Sequence, residues 1–245
     1  MEESFWGIST DQLSSTHSIC CEIGSTDEAQ ALFDGISYGK GSAFLKQLFN
    51  VLGYETMSKG LAIYFSKYEW KNTELPDFVG ALEQAYVESG DKSMGEDFNL
   101  TSWCNTWLKS SGINILEPVV EHNEDGSIKS LKIKQSLGLR GQNRLRKQKL
   151  NVGLYEKAFA KGDSPFLIEN VVISETEELT DIDISKLPSD FVLGAINVNH
   201  NEHAYCKVRF DKKSVQWFTE NLHLVSNSVT RAATWRHFWM LVMDK

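Results

Sequence analysis

The residue in this chain best placed to do chemistry is a tyrosine. Residues 33–48 read FDGISYGKGSAFLKQL, so Tyr38 sits in a Ser-Tyr-Gly-Lys-Gly turn with an apolar helix starting directly behind it. Gly39 and Gly41 bring no side chains to crowd the ring, and the helix that follows fixes its backbone. A rigid phenol at such a boundary can donate a hydrogen bond to an oxyanion. Losing one such donor typically costs about 10²–10³ in rate. The plainer reading is a packing tyrosine whose hydroxyl finds a partner. A phenol alone neither polarises a carbonyl nor makes a nucleophile at neutral pH, so any reaction here needs further groups.

Metal ligands are the first place to look. His200-Asn201-Glu202-His203 is the one dense cluster, but its spacing is wrong for a helical zinc site and it reads as a solvated turn between two strands. His17 with Cys20 and Cys21 is a thinner metal candidate, and His122, His223 and His237 are isolated surface or packing residues. The four cysteines (Cys20, Cys21, Cys104, Cys206) form no C-x-x-C pair, which excludes a zinc ribbon. They read as free thiols in a reducing compartment, and the expected location is cytoplasmic.

Charge narrows the partners. The 245 residues carry a net charge of −8, the wrong sign for a general polyanion binder. The run from Lys129 to Lys149 holds eight Lys or Arg but no aromatic residue for base stacking. It is expected to be solvated strand faces and a loop, so no nucleic-acid partner is expected. The acidic stretch Glu169–Asp183 reads as an exposed loop and strand edge. No run approaches the roughly 18 apolar residues of a membrane span.

The elements that must position these groups fall into three blocks. From residue 37 to about 110 the pattern is helical. Phe44, Leu48 and Val51 recur at helical spacing with Leu45, Phe49 and Leu52 beside them, and Gly53 is expected to stop that helix. A second helix spans about Glu55 to Tyr68. A third begins near Leu75-Pro76-Asp77, where proline suits a first turn. A fourth carries Leu100, Trp103, Trp107 and Leu108. The period then turns extended: a hairpin around Asn123–Gly126, then strands at 150–155, 166–173 and 191–198. Ala204 to Phe210 alternates as a half-exposed strand should. Helix returns at 213–222 and again from Val225, with Asn227 or Ser228 as N-cap. The last helix is strongly apolar at Trp239–Met243, as if more chain should cover it.

In order and spacing these segments resemble zinc aminopeptidases of the aminopeptidase N type, alanyl aminopeptidases of the branch best known from actinobacteria. The likeness runs through Ser15-Thr16-His17-Ser18-Ile19, the tyrosine segment, the aromatic pattern of residues 49–73, WCNTWLKSSGINIL at 103–116, VGLYE at 152–156 and RAATWRHFW at 231–239. Ser18 departs from it, standing where the family usually has proline. The resemblance implies that Tyr38 stabilises the transition-state oxyanion. Lys40 matches a lysine of the same turn and is expected to pack and hydrogen-bond.

The same resemblance implies an α+β fold in three parts. These are the helical second half of a thermolysin-like catalytic domain over 1–112, a β-sandwich domain over 113–210, and the start of a C-terminal helical domain over 211–245. It implies a zinc cofactor and peptide substrates with a free amino terminus. The family's zinc motif, H-E-x-x-H, does not occur in these 245 residues, nor does its G-x-M-E-N strand. The expectation is therefore an internal piece of an aminopeptidase, inactive by itself. The alternative is a shortened, non-catalytic relative that acts as an interaction module. The preferred amino-terminal residue and the oligomeric state are not written in this sequence.

Overall fold

The computed structural model describes residues 2–243. Residue 1 and residues 244–245, the outer ends of the first and third expected domains, lie outside them. Among the described residues the fold is α+β, with five α-helices, then two small sheets, then two more α-helices.

Helix α1 (Glu2–Thr10) and the short α2 (Thr26–Ala31) precede the tyrosine segment, in a region where the sequence shows no clear helical period. A π-helical turn, Gly35–Lys40, runs without a break into α3 (Gly41–Tyr68). The expected stop at Gly53 is a kink: its φ of 71° and ψ of 170° separate two helical segments. Ala43, Phe44, Leu48, Val51 and Leu52 are buried, as the spacing predicts. Leu45 and Phe49, expected beside that stripe, face outward instead. Gly60 lets α3 close on Leu82 of α4 (Leu75–Ser89), where an added Cβ would lie 2.6 Å from the leucine side chain. Helix α4 starts as expected, with Pro76 in its first turn and reciprocal capping by Glu74 and Asp77, and it ends at the left-handed Gly90. Asn99 caps α5 (Leu100–Leu108), whose Leu100, Trp103, Trp107 and Leu108 are all buried.

Strands β1 (Gly112–His122) and β2 (Ile128–Gly141) form the expected antiparallel hairpin. They belong to a four-stranded sheet of order β5-β2-β1-β7, with β5 at Leu179–Ile182 and β7 at Lys207–Val208. Strands β3 (Gln148–Glu156), β4 (Phe166–Ile173) and β6 (Leu193–His200) form the second, of order β4-β3-β6. Leu116, Leu131 and Ile133 of the first sheet share one core with Leu150, Val152, Leu154 and Ile196 of the second. Helix α6 (Lys212–Asn221) closes it with Trp217 and Phe218. Helix α7 (Ser228–Met243) is capped by Asn227, which accepts from Thr230 N, and adds Phe238 and Leu241 to the same core. Its Trp235, Trp239, Val242 and Met243 are exposed.

Three expectations need correction. The segment 204–210 is not a half-exposed strand. Only Lys207 and Val208 pair, in parallel with β1, and every residue of it except Arg209 is buried, because Trp107 and Gln12 meet Tyr205 and Lys207 on one side and α7 meets Val208 and Phe210 on the other. The His200–His203 segment is a turn, but not a solvated one: His200 and Glu202 are buried. The basic run is not wholly solvated, since Arg146 is only 1% exposed.

Two histidines carry a pH dependence. Burial pushes His237 down to about 3, and its Nδ1 accepts a hydrogen bond from Val208 N at 3.3 Å, which requires an unprotonated nitrogen. Burial likewise pushes His200 down to about 4. Both rings are neutral in the fold, whereas the unfolded chain takes up protons through the ordinary histidine value of about 6.5. Their stability contribution is thus complete above that value and is lost as the pH falls, down to about 4 for His200 and about 3 for His237. The full loss is on the order of 3–5 kcal/mol per ring. Urea unfolding should show a midpoint that drops between pH 6.5 and 4, with a shallower drop in His237→Gln. A midpoint flat over that range would contradict this.

Candidate functional site

Tyr38 projects from a turn that is otherwise inside the protein. Its side chain is half exposed, while Gly35, Ile36, Gly39 and Lys40 are buried. The exposed Phe33 ring lies 5.9 Å from the Tyr38 ring, tilted at 41°. π-helical turns are rare and concentrate at functional sites. Here the turn shifts register so that one aromatic side chain faces out between buried neighbours.

Asp34 holds the start of the turn. Its Oδ1 accepts from Ile36 N at 2.9 Å and Ser37 N at 3.1 Å, and its backbone carbonyl accepts from Tyr38 N at 3.1 Å. Its Oδ2 lies 3.0 Å from His17 Nε2, and the other ring nitrogen of His17 lies 2.8 Å from Ser18 O. The loop that follows α1 is thereby tied to the cap of the tyrosine turn. Helix α1 holds the middle of the turn. An added Cβ on Gly39 would press on Glu3 O and Gly7 N, and one on Gly7 would lie 2.6 Å from Lys40 N. Gly39 is therefore explained by close backbone approach to α1. Clearing space around the phenol, the expected reason, is not what its position does.

Lys40 holds the end. Its ammonium has no solvent exposure and lies 2.9 Å from Asp11 Oδ2, itself fully buried. The ammonium also donates to Ser110 O at 3.0 Å and Gly112 O at 3.2 Å, at the junction of α5 and β1. Asp11 Oδ1 accepts from Gly112 N at 2.7 Å and from the Thr16 hydroxyl. Tyr205 donates its hydroxyl to Asp11 Oδ2 at 3.4 Å. Beside this group the Arg146 guanidinium lies 5.1 Å from the Trp107 ring and donates to Ser110 Oγ, Ser111 O and Asn114 Oδ1. Burial lowers Lys40 to about 8 despite the opposing pull of Asp11, and lowers Arg146 to about 10. Burial also pushes the Tyr205 phenol well above its ordinary value, with Asp11 adding to the rise. Lys40 thus packs and hydrogen-bonds as its place in the sequence suggests, and the groups that meet it come from three distant segments.

The other candidates do not join Tyr38. His200 Nδ1 lies 3.2 Å from Tyr155 OH. Glu202, with its carboxyl pushed up by burial, sits 3.9 Å from Lys46 and 3.6 Å from Arg236. His17 is engaged by Asp34, and Cys20 and Cys21 are exposed free thiols. His122 and His223 are exposed. Among the described residues no group of three or more His, Cys, Asp or Glu could hold a metal ion. No helix among them is long and apolar enough to cross a membrane.

Against this geometry the likeness to known proteins is specific. Residues 1–107 match the Peptidase family M1 domain. The chain is 34% identical to Aminopeptidase N of Streptomyces lividans over 98% of its own length and 27% of that protein. It is 43% identical to human Glutamyl aminopeptidase over 31% of the chain and 8% of that protein. It is also 25% identical to Tricorn protease-interacting factor F2 of Thermoplasma acidophilum over 92% of the chain and 24% of that protein. The chain belongs to the aminopeptidase N-type proteins of peptidase family M1. It spans about a quarter of the length of the Streptomyces relative.

Breaking the buried pair on one side leaves an unpaired charge in the interior, which typically costs about 3–5 kcal/mol. Lys40→Met should therefore destabilise the chain by that order, and Asp11→Asn by a similar amount. The double variant should cost clearly less than the sum of the two, as read from urea midpoints. Additive losses would mean that the two groups do not act as a pair.

Proposed function

We propose that these residues are the part of a metallo-aminopeptidase that supplies Tyr38 to the active site. In this reading Tyr38 donates its phenolic hydrogen to the oxyanion that forms when a peptide carbonyl is attacked at the amino-terminal residue of a substrate. What supports it is the family membership together with an exposed phenol set in an otherwise buried π-turn. Such a donor helps only if it is already in place when charge develops, because a mobile phenol would spend binding energy on ordering itself. Asp34, the α1 contact at Gly39 and the Lys40–Asp11 pair supply that order from the two ends and the middle of the turn.

The residues present do not form a zinc site. They contain no H-E-x-x-H and, among the described residues, no cluster of three ligands. The zinc ligands and the general base belong, in this proposal, to residues beyond these 245. The proposed division is a catalytic part over 1–112, a β-sandwich over 113–210 and the first helices of a further domain from 211. The helical core and the inter-sheet core are consistent with it, although Tyr205 and Met240 pack in the helical core. Peptides with a free amino terminus are the proposed substrates.

Two measurements test this reading. The purified chain with added zinc should not hydrolyse aminoacyl-arylamides above background. Saturable, chelator-sensitive turnover would contradict the assignment of ligands elsewhere. In a longer protein that joins these residues to a zinc-ligand helix, Tyr38→Phe should lower kcat by about 10²–10³ with KM little changed. An unchanged kcat would remove Tyr38 from the chemistry.

A further inference from the structure

Cys20 and Cys21 are consecutive, free and exposed, in the irregular loop between α1 and α2. The backbone there is anchored: Cys20 N donates to Leu108 O at 2.8 Å, and Ser18 Oγ donates to Cys20 O at 2.8 Å. Partial burial raises the Cys20 thiol, the Lys109 ammonium opposes that rise, and Cys21 adds to it. The other two cysteines, Cys104 and Cys206, are buried.

The peptide between the two residues is trans, which sets their Cα atoms about 3.8 Å apart. Disulfides are accommodated at Cα separations of about 4.4–6.8 Å. A direct S–S bond between these neighbours would therefore be strained and readily reduced. An atom seated between the sulfurs relieves that constraint, because each thiolate bonds to it at about 2.3 Å, taking the zinc–thiolate length as a guide, and the sulfurs remain apart.

We propose that Cys20 and Cys21 form a surface dithiol site for thiophilic species that take two sulfur ligands, of which a trivalent arsenical is the type. No third ligand gathers there among the described residues, which selects such species over zinc, whose protein sites use three or four ligands, and over calcium, which takes oxygen. The inference is independent of the activity proposed above. The site shares its loop with His17, so an occupied dithiol sits on the segment that holds the cap of the tyrosine turn.

Phenylarsine oxide is the probe. Two S–H bonds and the As=O bond break, two As–S bonds form, and the oxygen leaves with both protons as water, with no electron transfer. The reduced, folded chain should take up one equivalent, retain it against a monothiol and release it to dimercaptopropanol. Digestion and mass mapping should place it on the peptide bearing Cys20 and Cys21. Cys20→Ser and Cys21→Ser should each weaken retention about 100-fold, the chelate advantage of a second tethered thiol. Both should fold, because the loop hydrogen bonds of Cys20 use only its backbone. No uptake by the folded chain, an adduct on Cys104 or Cys206, or a Cys21→Ser variant that retains the arsenical as the unaltered chain does would each overturn the proposal.

Discussion

A carboxylate and an ammonium, both removed from solvent, meet where the helices join the first sheet, and much of the structure is arranged around satisfying them. Burying either charge alone would cost several kcal/mol. Asp11 and Lys40 avoid that by neutralising each other and by engaging the groups around them: Gly112 N and the Thr16 and Tyr205 hydroxyls on the acid, two backbone carbonyls on the amine. The partners come from the loop after α1, the tyrosine turn, the α5–β1 junction and the β6–β7 connection. The pair therefore fixes the relative position of those four segments, which a purely apolar contact would do with less angular definition.

That arrangement explains how the backbone beneath an exposed tyrosine is held. Tyr38 stands two residues before the buried lysine and four after the capping aspartate. Its neighbours Ile36 and Gly39 point inward. The turn leaves the ring in solvent and commits the rest of its length to the interior. The surrounding polar network thereby fixes the backbone that carries the ring, which the role proposed for Tyr38 requires.

Much of this was legible in the sequence where the cause is local. The Phe44, Leu48 and Val51 row of α3, the α4 and α5 stripes, the Pro76 start, the Gly53 break, the β1–β2 hairpin and β3, β4 and β6 follow from side-chain period and turn residues. The tyrosine turn was visible because its glycines and the helix behind it are contiguous. What was hidden depends on distant partners. Asp11 is separated from Gly112 by 101 residues and from Tyr205 by 194, and nothing local marks it as buried. Arg146 sits in a basic run whose other members are mostly solvated, and only its partners Ser110, Ser111, Asn114 and Trp107 distinguish it. The 204–210 segment alternates like a half-exposed strand, yet Tyr205 and Lys207 on its polar side pack against Trp107 and Gln12. Asp34 was the one missed contributor with a local signal, since an aspartate directly before a turn is a ready N-cap.

The central claim is that the tyrosine turn and the start of β1 are held as one unit by the Lys40–Asp11 pair. Native-state hydrogen exchange tests this most directly, followed at the Tyr38 amide, which bonds to Asp34 O, and the Gly112 amide, which bonds to Asp11 Oδ1. The two amides should open with the same free energy and the same denaturant dependence, and both should lose protection together in Asp11→Asn. A Gly112 amide that loses protection in that variant while the Tyr38 amide keeps its own would show that the turn stands without the pair.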